Sequence, residues 1–383
     1  EEPKGSAGNT DANADADAGN VPAMLEISEA TEEYRSLRRK LWDEGYFKAD
    51  PTFYARRHLV WLSLFIAAMS VAMRHPSSLA VAAFGGFLLG LAWQQVAFIG
   101  HDAGHYGVTE PTKGGGLNWL SWFTTSVMFG ISTSMWNEEH SMHHAITLRP
   151  REDPQFDYLP IWLISTKELD VGDKAKSNLL PGGARLSLLS RLLISVQHFT
   201  FLPLCVFIGR FNLHIISVVY ALKRLPSVAS VMDLVGMAIY FAMEYAFVVQ
   251  LPTTATRVVF ALAANWVAGI LHVQLMLSHL ATETFTEEEE RAEGWAEFQL
   301  RTSRNIECKW YENWFHGGLE YQIEHHLFPQ LPRHNLDKVK PMVEAFAKKH
   351  GIVYRSVPFT TALAEILTNF RSLAKDIVTL HPV

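Results

Sequence analysis

Residues 79–105 read LAVAAFGGFLLGLAWQQVAFIGHDAGH, and this stretch decides the fold. From Leu79 to Ile99 no side chain is charged, and about 20 such residues let a helix cross roughly 30 Å of hydrocarbon. The run ends in His101 and His105, four apart, so both imidazoles point the same way if the helix continues by one turn. A shorter apolar run, Leu59 to Met73, lies just upstream, and Arg74 to Ser78, with Pro76, leaves room only for a tight hairpin. The pattern returns later: Val231 to Leu251 and Val258 to Leu280 are joined by a turn at Pro252 to Arg257. These readings predict an all-α integral membrane protein with four transmembrane helices in two hairpins. Leu117 to Met135 and Phe199 to Tyr220 are apolar too, but Asn, Ser and Thr interrupt the first, and Arg210 and His214 the second. Both are expected as interfacial helices.

Composition agrees. Of 383 residues, 49% are hydrophobic and only 19% charged, and the mean hydropathy is +0.06, which excludes a collagen, a disordered chain and an ordinary soluble enzyme. The 12% aromatic content, with 11 Trp and 23 Phe, supplies side chains of the kind that gather where headgroups meet hydrocarbon. Two cysteines, Cys205 and Cys308, are too few for a disulfide scaffold and form no Cys-x-x-Cys pair. A net charge of -6 gives no reason to expect a nucleic-acid partner. Residues 1–31, rich in Ala, Gly, Asn and Asp and without an aromatic, are expected as a flexible linker. Residues 32–360 form the membrane domain and residues 361–383 a C-terminal tail. Arg35, Arg38, Arg39, Lys40, Arg56 and Arg57 precede the first span, and Lys223 and Arg224 precede the second pair. The excess of positive charge predicts that both entrances, and with them both termini, are cytosolic.

Seventeen histidines stand out. HDAGH carries His101 and His105; HSMHH carries His140, His143 and His144; QIEHH carries His325 and His326 behind Gln322. Histidines at i, i+3 and i+4 share a helix face. A lone helical pair is as readily an ordinary surface feature, but three such boxes returning to one membrane face form a site. Seven histidines exceed the three protein ligands of one catalytic zinc, and no His-Glu-x-x-His pattern occurs, so the number fits two metals. Imidazole suits iron, zinc, copper or nickel alike. The Glu-x-x-His pairs of soluble carboxylate di-iron bundles are missing. His279, at the cytosolic end of the fourth span, is expected as an eighth ligand, whereas His272, two turns deeper, is expected to pack between helices and hydrogen-bond a neighbour. Asp102, Glu139 and Glu324, beside box histidines, are either acceptors that orient ring N–H groups or solvated charges.

In that order, and around two membrane hairpins, HDAGH, HSMHH and QIEHH resemble the membrane-bound fatty acyl desaturase family. The Gln heading the third box is similar to the front-end branch, and WFHGGLEYQIEHHLFPQLPRHNL, Trp314 to Leu336, resembles the family's C-terminal motif almost throughout. The resemblance covers roughly residues 32 to 360. It implies a cytosolic di-iron cap in the endoplasmic reticulum membrane, using O2 and two electrons to introduce a double bond into a lipid chain. It also implies His101, His105, His140, His143, His144, His279, His325 and His326 as iron ligands, with Gln322 standing where relatives have a His and acting as a ligand either directly or through a water. Within the branch, His272 to Thr284 and Phe298 to Leu319 resemble fungal Δ8-sphingolipid desaturases, which act on the long-chain base of ceramides. Glu324 in QIEHH is equally at home in Δ5 and Δ6 fatty acid enzymes. Front-end relatives carry an N-terminal cytochrome b5 domain with a His-Pro-Gly-Gly haem motif, and no such motif occurs in these 383 residues. The expected electron source is therefore cytochrome b5 with its NADH-dependent reductase, as a separate protein or as a domain ahead of the linker. The opening Glu1, in place of Met, favours the domain.

Lipid chains offer no polar handle at the reacting carbons, so position must be measured from the head. Trp314, His316 and Tyr321 are candidates for that entrance, or else for an interfacial aromatic belt. Two rivals stand beside the desaturase. An acyl or sphingoid hydroxylase uses a similar histidine scaffold, and histidine spacing does not separate the two. A membrane metal transporter would put ligands along a path within its spans, where only His272 lies deep.

Overall fold

The computed structural model describes residues 28–109, 118–170 and 186–380. The expected linker lies outside the described residues up to residue 27, as do residue 117 and the last three residues of the expected tail. In chain order the principal helices are α1 (Glu29–Asp43), α2 (Pro51–Arg74), α3 (Leu79–Gly104), α4 (Thr133–Ala145), α5 (Gln197–Lys223), α6 (Val228–Val248), α7 (Thr254–Leu277), α8 (Gln322–Leu327), α9 (Leu336–Lys349) and α10 (Phe359–Leu380). Their starts are written in the sequence: the side chains of Ser28, Asp50, Ser78, Ser132, Ser227 and Thr253 each accept from an orphan backbone N–H of the first turn. Pro51 opens α2, where its missing N–H costs nothing. The architecture is helical apart from one short parallel pair, β1 (Asn305–Glu307) and β2 (Ser356–Pro358), in register Asn305↔Ser356.

Helices α3 and α7 pack backbone to backbone. A Cβ on Gly86 would fall 2.3 Å from the carbonyl oxygen of Phe260, and one on Gly90 would fall 2.5 Å from that of Ala264. Small residues four apart permit this approach in a setting where lipid tails compete for every other apolar surface. The contact pairs advance together along both chains, so α3 and α7 are parallel. The C-terminal end of α3, with His101 and His105, therefore lies beside the C-terminal end of α7, which His279 follows.

Among the described residues five helices are long and apolar enough to cross a membrane: α2, α3, α5, α6 and α7. The stretch Phe199 to Tyr220, expected at the interface, is thus part of a helix with the length of a span. Helix α5 starts where Gln197 bonds Leu163 N (2.8 Å) and Phe370 O (3.1 Å), and ends where Arg224 pairs with Glu138 on the histidine-bearing α4 (2.6 Å). Both of its ends are on the histidine side. A π turn at Leu204–Ile208, just after Pro203, interrupts it midway. The other four helices of span length form the two hairpins α2–α3 and α6–α7.

Leu117 to Met135 is likewise not a span: it breaks into a π turn at Phe123–Val127 and a tight bend before α4. Asp233, fully buried on α6, takes the first turn of α4 in hand. Its carboxylate accepts from Ser132 Oγ (2.6 Å), Thr133 N (3.2 Å) and Ser134 N (3.1 Å). A negative charge at a helix N-terminus is favourable there, and it pins the histidine helix to the second hairpin. Beyond the spans, α1, α8 and α9 share a core of Leu41, Ile323, Leu327, Val339 and Val343. Residues set apart as a tail belong to α10, whose Ala362, Ile366, Phe370 and Ile377 are buried against Leu163, Ile194 and Phe201.

Candidate metal centre

Four chain segments converge on the site: the end of α3, the last two turns of α4, the turn after α7, and α8. His101, His105, His140 and His325 bring one ring nitrogen each to within 4.8 Å of one another, and His143, His279 and His326 form a second such group. His144 stands between the two, its ring centroid 4.7 Å from that of His105, 4.6 Å from His325 and 4.3 Å from His326. All eight histidines expected at the site are therefore brought together, including His279 from outside the boxes. Gln322 is buried beside them, its amide nitrogen 3.1 Å from His279 Nε2 and its amide oxygen without a partner.

Hydrogen bonds fix which nitrogen faces inward. The Nδ1–H groups of four rings are donated to the surroundings: His140 to Gln155 Oε1 (2.9 Å), His143 to Asp153 Oδ2 (2.8 Å), His279 to the carbonyl of Thr302 (3.1 Å) and His326 to Gln299 Oε1 (2.9 Å). Each such bond leaves Nε2 as the free lone pair and raises its basicity. Burial first, and neighbouring imidazoles second, hold His105, His140, His144, His279, His325 and His326 well below the usual imidazole range. The rings are neutral, the form that ligates. The Nε2 atoms of His105, His325 and His326 are buried with no hydrogen-bond partner, a cost that convergent lone pairs recover only on binding a cation. The residues fit a pair of metal ions, and clusters of this kind are typical of desaturase metal sites.

The orienting residues differ from the expected ones. Asp102 reaches His101 Nδ1 only at 3.4 Å and is occupied by Tyr54 OH (2.7 Å) and Arg333 Nε (2.6 Å). Glu324 accepts from Asn305 Nδ2 (2.8 Å) and Tyr354 OH (2.7 Å) rather than from a ring. Glu139 is half-buried, its carboxyl pushed up to about 7 by burial and by Glu138 beside it. The groups that do orient rings, Asp153, Gln155, Gln299 and Thr302, were missed. Asp153 and Gln155 follow the second box within a dozen residues, which is the signal a search for nearby acceptors would have used. Asp153→Ala is expected to weaken metal retention by about 10- to 100-fold with the protein still in the membrane; chelator titration of purified protein checks this, and unchanged retention would mean that Asp153 orients nothing.

A cavity opens against the first cluster. Its lining includes His101, Gln322 and His325, together with Gly317–Leu319, Leu331, Arg333 and Leu336 and with Thr125, Phe129, Ile131, Leu213, Leu271, His272 and Leu275. His272 lines this cavity, and its Nδ1 is buried without a hydrogen-bond partner, in place of the packing bond expected of it. Trp314, His316 and Tyr321 flank the cavity-lining glycines without lining the cavity themselves. Trp314 is 40% exposed, His316 is buried beside Gln274, and Tyr321 packs against the core around α9. Gln95 Nε2 donates to the Trp314 carbonyl (3.0 Å) and Gln274 Nε2 to that of Phe315 (3.1 Å), so two glutamines inside spans hold this loop down. Gly317, at φ 62°, has no room for a side chain: a Cβ would fall 2.2 Å from the Phe98 ring.

Comparison with known proteins points the same way. The model of the family described as Fatty acid desaturase matches residues 77–358. The chain is 32% identical over 341 residues to the Delta(8)-fatty-acid desaturase 2 of Arabidopsis thaliana, covering 88% of this chain and 73% of that protein. It is 31% identical over 356 residues to the Acyl-lipid (9-3)-desaturase of Borago officinalis, covering 91% and 76%. It is 29% identical over 356 residues to the Delta 8-(E)-sphingolipid desaturase of Komagataella phaffii, covering 91% and 63%.

Proposed function

The chain belongs to the fatty acid desaturase family, and from that premise we propose that it is a di-iron, O2-dependent desaturase of the endoplasmic reticulum membrane that inserts the Δ8 double bond of a sphingoid base. The observation that carries this reading is the pair of buried histidine clusters, the first of which lines a largely apolar cavity. His101, His105, His140 and His325 would hold one iron and His143, His279 and His326 the other, with His144 between them and Gln322 acting through a water. Bound there, an iron pair supplies the chemistry that reduces O2 with two electrons and removes hydrogen from two adjacent methylenes.

The chain's own contribution is placement. Gly317–Leu319, Leu331 and Leu336 admit the lipid, His101 and His325 face its reacting carbons, and Phe129, Leu213 and Leu271 keep the tail dry. Holding adjacent carbons against the metal site while excluding water converts a reach for unactivated C–H bonds into a unimolecular event. No acid or base is required of the lipid-facing residues. The Δ8 assignment draws on relatives named for that position. A second reading, a front-end desaturase of fatty acyl groups, draws on the acyl-lipid relative of Borago. Electrons are proposed to come from cytochrome b5 and its reductase at the cytosolic face.

Expression with cytochrome b5 in a yeast that makes no Δ8 sphingoid base, followed by lipid mass spectrometry, separates these readings. A new double bond in ceramide long-chain bases supports the first. A new bond only in fatty acyl chains supports the second, and a hydroxyl in place of a double bond counts against both.

A further inference from the structure

Arg333 lines the cavity beside Asp102, with only 7% of its side chain exposed. Its Nε donates to Asp102 Oδ2 (2.6 Å) and its Nη1 to the Gly317 carbonyl (2.9 Å), while Nη2 is buried with no partner among the described residues. Around it the lining is apolar: Phe98, Leu319, Leu331 and Leu336. A buried guanidinium N–H left unmade is expensive, and a site that keeps one has a use for it. We propose that Arg333 Nη2 donates to a carbonyl or hydroxyl oxygen of the lipid head and so fixes where along the chain the double bond falls. This rests on the reading of the protein as a desaturase.

Two features define the ligand chemistry. Asp102 already neutralises the Arg333 charge, and Tyr54 OH steadies the same carboxylate oxygen (2.7 Å). The remaining N–H is thus matched to a neutral acceptor, an amide carbonyl or hydroxyl of a ceramide or the ester carbonyl of an acyl lipid, rather than to a phosphate. The second feature is the interval to the reaction. Asp102 is the neighbour of His101 in the chain, and its other oxygen lies 3.4 Å from His101 Nδ1. A single aspartate therefore links the anchor to the first histidine cluster, a short separation that suits a bond counted from the head. Arg333 acts here as a positioning residue.

The test uses the full chain, purified with bound metal, with cytochrome b5, its reductase and NADH, and either a ceramide or an acyl lipid as substrate. Arg333→Lys preserves a charge for Asp102 but loses the planar fork. Its KM is expected to rise about tenfold or more for the substrate whose oxygen is held, which corresponds to losing one charge-assisted hydrogen bond, with metal content unchanged. A rise in the ceramide arm alone assigns the oxygen to the sphingoid head; a rise in the acyl-lipid arm alone assigns it to the ester. For the wild type, an analogue lacking the held oxygen, with the carbonyl reduced to methylene or the hydroxyl replaced by hydrogen, is expected to show the same rise, and the lysine variant is expected to be indifferent to that change. Wild-type KM for Arg333→Lys in both arms, or a wild type indifferent to loss of the carbonyl and of the hydroxyl alike, overturns the proposal. Should the lysine variant lose metal, the wild-type comparison decides alone. No desaturated product from the wild type in either arm would instead fault the desaturase reading.

Discussion

Replacing His143 or His326 by alanine is expected to end desaturation, a loss of more than about a hundredfold, since even residues that only orient metal ligands cost 10- to 100-fold when removed. The protein should still accumulate in the membrane. Its spans are held by apolar packing and by contacts such as Gly86 and Gly90 on Phe260 and Ala264, none of which involves a box histidine. Metal content should fall in the same variants. His272→Ala serves as the contrast: that ring lines the cavity but lies outside both clusters, so the variant should keep its metal and substantial activity. Lipid product and metal measured on the same preparations check all three. Near-normal product from His143→Ala would remove the metal site from the mechanism.

The second large effect concerns electrons. Two are needed per double bond, and no His-Pro-Gly-Gly haem motif occurs in the 383 residues, so with NADH and reductase alone this chain should turn over at background. Cytochrome b5, added separately or fused ahead of residue 1, should restore activity. Arg35, Arg38, Arg39 and Lys40 are exposed on α1 and offer an acidic haem protein a basic landing face. With a separate donor, turnover should fall as salt is raised, because charges farther apart than about 10 Å are screened at 0.1 M. A fused donor, held at high local concentration, should resist the same change. Equal turnover without any cytochrome b5 would point to another reductant.

Much of this was legible in the sequence because its signals are local. Spans announce themselves by unbroken apolar length, and the boxes by i, i+3, i+4 spacing, so the hairpins and His101 through His326 could be placed before any coordinate. His279 was legible only through topology, as the histidine that the second hairpin returns to the same face. What could not be read depends on partners distant in the chain. Arg210 interrupts an apolar run on paper; in the fold its guanidinium stacks 4.4 Å from the Trp93 ring and 4.2 Å from that of Phe129, and bonds Tyr240 OH at 2.9 Å. Hydropathy registers the charge and not the cage. Asp233, one of two acids between Val231 and Leu251, likewise shows its partner only once α4 is seen to begin on it. Among the candidates' neighbours it is Gly317, Gly318 and Leu319, between His316 and Tyr321, that face the cavity, and Trp314, His316 and Tyr321 do not.

The central claim is that two clusters of buried histidines hold two irons. Metal analysis of the purified chain by plasma mass spectrometry, with Mössbauer spectra of iron-57-labelled protein, tests it most directly. The account predicts two irons per chain, magnetically coupled, falling together when either His143 or His325 is replaced by alanine. One metal per chain, or zinc in variable amount, would contradict it.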